Sequence, residues 1–288
     1  MKSFAYLTSL LLLFVATALA VSIPTTTSSN SILGISNTKG RKEWRELTDG
    51  EKLRFIDAFK KLQMSSSKVA PDSVYDVLGT PQFLPWHRSL IRQFELELQR
   101  IDQDVTVPYW NWTIDYSPET STNSKQPPSS VLSSDPLVGL GTDGAPGPIT
   151  PPSSLNDIAN SNHYHGCVQD GAFISAQGAT HCILRGINTS AAIKHLNTKT
   201  LAKALEAPDF ESFRREIEGP RNTNSASVLN LSTRDDDDDA HIYVGREQNS
   251  FGFSPLDPLF YLHHTFVDLI WNEWEIRNPN AVPVDQLS

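Results

Sequence analysis

Thiols are scarce in this chain: of 288 residues only Cys167 and Cys182 are cysteine. An even pair in an oxidising compartment reads as one disulfide closing a modest loop, and the alternative is two free buried thiols. Basic residues are also short. Lys and Arg number 24 against 33 Asp and Glu, a formal charge of -9. That balance excludes a nucleic-acid partner, because phosphate binding needs clustered Lys and Arg. Part of the acidity sits in the run Asp235 to Asp239, which reads as a solvated tract because five like charges resist a packed helix. No internal repeat and no second domain are visible, and no histidine occurs between Met1 and Trp86. What is present is a core: 39% hydrophobic and 9% aromatic residues exclude wholesale disorder.

The one long apolar run lies at the N-terminus. Met1-Lys2 gives a positive start, Leu7 to Ala20 is almost wholly apolar, and Ala18-Leu19-Ala20 closes it with small residues. Residues 1–20 therefore read as a signal peptide cleaved after Ala20, predicting a secreted, extracellular protein. A membrane anchor is the alternative, but the run is short for a bilayer and no second one follows, so the mature chain has no predicted span. No retention signal closes the chain at Ser288. Asn188-Thr189-Ser190 and Asn230-Leu231-Ser232 fit the glycosylation sequon, while Asn111-Trp112-Thr113 fits it with flanks that predict burial.

Residues 21–40 are a flexible Ser/Thr-rich lead-in, and one domain is expected over 41–288. Thr48 and Glu51 form a capping box, after which Leu53, Ile56, Phe59 and Leu62 repeat at helical spacing. Pro85 falls in the first turn of a second helix whose face carries Ile91, Phe94, Leu98 and Ile101, with His87 one turn before Ile91 on the same side. Val105 to Trp112 reads as short and extended. Residues 117–155 are Ser-, Pro- and Gly-rich and read as a long loop that carries binding surface or wraps a core. Leu201 to Leu205 and Phe210 to Ile217 are two helical pieces broken at Pro208 and restarted by Asp209. A last helix follows Asp257-Pro258 and presents Phe260, His264, Val267 and Trp271 on one face. The class is mainly α with long irregular loops.

Chemistry concentrates in Phe83-Leu84-Pro85-Trp86-His87-Arg88 and in Asp257-Pro258-Leu259-Phe260-Tyr261-Leu262-His263-His264, which runs on to Asp268 and Trp271. A histidine on an apolar helix face is most often a satisfied core residue. Here each lies on an aromatic helix, and imidazole in such a dry wall is a good ligand for a redox-active transition metal. A metal-bound imidazole donates its other N–H to a carboxylate or carbonyl, a role that suits Asp268 beside His264. His163, His165, His181 and His195 lie in loop sequence and read as solvated.

The first stretch resembles the first copper motif of the tyrosinase and catechol oxidase (polyphenol oxidase) family, and the second resembles the second motif. Pro108-Tyr109-Trp110-Asn111-Trp112-Thr113 resembles the segment between them, and Arg41 to Leu47 resembles the usual lead-in. The resemblance implies a four-helix core holding two copper ions, each bound by three histidines. It also implies oxidation of mono- or ortho-diphenols to quinones by dioxygen. Carried over residue by residue, His87 matches the third ligand of the first site, while His241 and His264 match the second and third ligands of the second. His263 stands beside His264 as outer shell. Glu218 resembles the family glutamate that assists phenol deprotonation; the alternative is an ordinary surface carboxylate.

Three family ligands have no counterpart. Leu78 stands where the second ligand of the first site belongs, and no histidine lies upstream to serve as the first. Asp237 stands one turn before His241, where the first ligand of the second site belongs. A carboxylate is a harder ligand that suits Cu(I) poorly. Tyr75 to Gly79 reads as abbreviated and 221–239 as an insertion, a pattern that mis-joined coding segments would produce. Two functional readings follow: a secreted copper oxidoreductase with an incomplete ligand set, or an inactive secreted scaffold. Oligomeric state carries no signal in the sequence.

Overall fold

The computed structural model describes residues 40–64, 83–116, 131–149, 165–174, 182–187, 192–193, 196–218 and 256–281. These all fall within one compact unit, Asn37–Ser288. The expected signal peptide, lead-in, Leu78, His163, His181, His195, the 221–239 segment, His241 and the sequons at Asn188 and Asn230 lie outside the described residues.

The first helix, α1 (Asp49–Met64), starts where the capping box predicts. The Thr48 hydroxyl accepts from Glu51 N–H at 3.2 Å, and the Glu51 carboxylate accepts from Thr48 N–H at 2.8 Å. Its buried face is Phe55, Ile56, Ala58 and Phe59. Leu53 is 41% exposed, which corrects the expected stripe. The stripe shifts because Phe59 must meet Phe94, Phe173 and Tyr261, with ring centroids 5.2–5.5 Å away in edge contacts.

Helix α2 (Phe83–Ile101) carries the first motif, with Pro85 in its first turn. Leu84, His87, Ile91, Phe94 and Leu98 are buried. Ile101 is not: at 37% exposure it joins Leu53 along a surface groove also lined by Arg54, Asp57, Lys61 and Asp102. The chain then runs extended only to Trp110. Tyr109 bridges in parallel to Glu43, and a turn begins at Asn111, whose side-chain carbonyl accepts from the Thr113 N–H and hydroxyl. Trp112 and Thr113 are buried, as the sequon's flanks predict.

The described part of the long loop, 131–149, wraps a small antiparallel hairpin of β1 (Gly166–Cys167) and β2 (Leu184–Arg185). The predicted disulfide joins Cys167 to Cys182 beside it. Helices α3 (Thr198–Leu205) and α4 (Phe210–Glu218) pack on each other. They break at Pro208, and the Asp209 carboxylate restarts the chain by accepting from Ser212 N–H at 2.8 Å.

Helix α5 (Pro258–Arg277) is the centre of the fold and packs on α2 and α3. Asp257 caps it, accepting from Leu259 N–H at 2.9 Å, and Pro258 fills the first helical position. Every residue from Pro258 to Val267 is buried, Phe260 and His264 among them, and Trp271 is buried one turn further on. The architecture is therefore mainly α, with one short two-stranded sheet among the described residues. No helix among the described residues is long and apolar enough to cross a membrane.

Candidate metal centre

Two histidines far apart in sequence meet inside the α2–α5 contact. His87 is 4% exposed and His264 1%. Their rings stack with centroids 3.9 Å apart and planes 13° from parallel. Aromatic side chains wall the pair: Phe260 lies 4.4 Å from His264 and Trp86 lies 4.7 Å from His87, centroid to centroid. His263 stands edge-on beside His264 at 5.0 Å.

Asp268 has a different partner from the one expected. Its carboxylate accepts from Arg88 Nε at 2.5 Å and from Arg41 at 3.2 Å, so it meets guanidinium rather than imidazole. The reason is position: Arg88 follows His87 on α2 and reaches across to α5, where its guanidinium also lies 3.6 Å from the Trp271 ring centroid and pairs with Glu275 at 3.0 Å. Arg41 pairs in turn with Glu95 on α2 at 3.1 Å. The burial of Glu95 raises its pKa, but hydrogen bonds and charge from Arg41, with a bond from Val107 N–H, outweigh that and hold it below the ordinary carboxylate value. These groups fasten Arg41, α2 and α5 together beside the two rings.

Other site residues are placed less closely. Glu218 is the last residue of α4. His165 is on the surface, with Nδ1 2.6 Å from Asp143, in keeping with its solvated reading. One residue escaped the sequence reading altogether. Arg185 is fully buried and forms a fork-to-carboxylate pair with Asp257, at 2.8 Å from both Nε and Nη2. No local pattern announces it, since its partners come from two distant segments, 140–142 and Asp257.

Fit for a copper pair turns on donor count. Among the described residues no three His, Cys, Asp or Glu side chains group as a metal site. His87 is also the first histidine of the sequence. One imidazole from each half-site falls short of a dicopper donor set, so a complete centre does not fit the described residues.

Residues 54–277 match the model of the common central domain of tyrosinase. The chain belongs to the tyrosinase family. Among its relatives, the tyrosinase of Streptomyces antibioticus is 28% identical, over 84% of this chain and 84% of that protein. N-acetyl-6-hydroxytryptophan oxidase ivoB of Emericella nidulans is 30% identical, over 90% of this chain and 80% of that protein. A polyphenol oxidase structure from Thermothelomyces thermophila shares the fold with a TM-score of 0.59 and 22% identity, covering 84% of this chain and 71% of that one. The tyrosinase family is one of type-3 copper proteins acting on phenols with dioxygen, so membership implies copper as the cofactor and supports a tyrosinase-like copper oxidoreductase.

Proposed function

We propose that this chain is a secreted copper oxidoreductase that oxidises mono- or ortho-diphenols to quinones with dioxygen. The observation that carries the reading is the meeting of His87 and His264, one from each copper motif, in a buried aromatic wall. Each motif thus contributes one imidazole to the same buried wall. His87, His241 and His264 are the proposed ligands, with His263 beside them and Glu218 as the base toward a phenol. Secretion rests on the N-terminal apolar run, and the Cys167–Cys182 disulfide supports an oxidising compartment.

A second reading is favoured by a specific observation: Leu78 and Asp237 stand at two ligand positions, and a third has no histidine available upstream. On that reading the chain is an inactive scaffold that keeps the family fold. Sequencing the transcript across Ser73 to Gly79 and Pro220 to Ala240 comes first, since a correctly joined message that differs from this sequence there would supply the missing ligands. Copper quantification on the purified chain then separates the two. Bound copper together with a peroxide-to-copper absorption band supports the oxidase and contradicts the scaffold. A folded helical protein without copper does the reverse.

A further inference from the structure

We infer that Arg185 is a positioning residue: by locking the Asp257 cap it sets where α5 begins and therefore where His264 stands against His87. All five guanidinium N–H donors of Arg185 are used. Nε and Nη2 hold the Asp257 carboxylate, Nη1 donates to the Gly141 and Thr142 carbonyls at 2.7 and 3.0 Å, and Nη2 donates to the Leu140 carbonyl at 3.0 Å. Arg185 and Asp257 are both 0% exposed. A buried guanidinium with every donor satisfied is rigid, because any displacement strands a charge without partners.

The lock is built on both sides. On one side the hairpin pairs Cys167 with Leu184, next to Arg185, and the disulfide closes the hairpin. The 131–149 loop comes close enough to offer three carbonyls only because of its glycines. A Cβ at Gly144 would stand 2.2 Å from the Arg185 carbonyl oxygen, and Gly141 has φ +87°, a conformation side chains rarely adopt. On the other side, the Asp257 oxygen that binds Arg185 Nη2 also caps Leu259 N–H. One carboxylate thus joins a covalently braced loop to the first turn of the histidine helix. Phe260 in that turn touches both imidazoles. The placement needs no metal, so it can fail or hold independently of the proposed oxidase activity.

The test is NMR of the full chain, isotope-labelled at histidine and kept in chelator, following the ring-to-ring contacts of His87 and His264. The variants are Arg185→Lys, Asp257→Asn and the double Arg185→Met/Asp257→Asn. The double removes both charges yet keeps a capping side-chain oxygen. Leu201→Ala, a core loss on α3, is the control for general destabilisation. Loss of the His87–His264 cross-peaks and of their ring-current shifts is expected in the three clamp variants, with both retained in the control. A folded double variant with an intact ring stack overturns the inference, as does a control that loses it equally. Should the clamp variants not fold, hydrogen exchange of the unaltered chain decides. The Arg185 guanidinium, Leu259 N–H and the His263–His264 amides are expected to exchange as one unit, and separate exchange overturns the inference.

Discussion

Helix α5 is held at both ends of its histidine turn by carboxylate–guanidinium pairs, and the two ends obey different energetics. At its start, Asp257 and Arg185 are wholly buried with every polar atom of the fork engaged. Further along, Asp268 and Glu275 meet Arg88 and Arg41, where side-chain exposures of 18–33% leave water in contact. A buried pair adds little over an apolar replacement but is costly to break, because a stranded charge remains. A wetter network is weaker link by link and is screened by salt. Nearby sequence therefore encodes two kinds of attachment: a rigid one that fixes the helix start and an adjustable one that joins α2 to α5.

The sharpest way to break this contrast is Asp257→Ala. It strands Arg185 and removes a helix cap, with an expected loss of roughly 3–5 kcal/mol, read by denaturant unfolding and insensitive to added salt. Next comes Glu95→Gln, which takes the charge from a group bonded to Arg41, Arg92 and Val107 N–H. A loss of about 2 kcal/mol is expected near neutral pH. Because the folded-state pKa of Glu95 lies below its ordinary value, its contribution is fully present above that value and fades as pH falls through the acid range. The variant should show a flatter acid limb than the parent. Glu43 works with the opposite sign: burial raises its pKa despite the nearby Arg45, so it favours the fold more as pH falls through the raised value.

Arg88→Met is expected to cost about 1 kcal/mol at low salt and less at high salt. An equal loss at both would place this network with the buried kind. A loss of similar size, but insensitive to the two rings, is expected at the capping box. Thr48→Ala should cost about 1 kcal/mol and leave His87 and His264 stacked. Glu51, held down to about 2 chiefly by its bond from Lys42, lies on the surface, so its acid titration should barely move the unfolding curve.

Much of this was legible in the residues because the signals were local. The capping box, Pro85 in a first turn, Asp257-Pro258 at a helix start and the period that puts His87 with Ile91 each declare themselves within a few positions. Leu53 and Ile101 misled because periodicity gives the face of a helix, whereas the size of Phe59 and its aromatic partners decides which edge of that face is sealed. Asp268 misled because proximity to a histidine in sequence says nothing of a guanidinium arriving from another helix. Arg185 was invisible for the same reason. Its five bonds come from residues 140–142 and 257, and no window on the sequence contains them together.

The most direct measurement is copper content of the full chain after dialysis, for the unaltered protein beside His264→Asn and His87→Asn. The proposed oxidase retains copper, and the His264 variant loses it while keeping its helical spectrum. A folded parent protein that carries no copper even when supplied with it would contradict the account and leave the chain as a family scaffold alone.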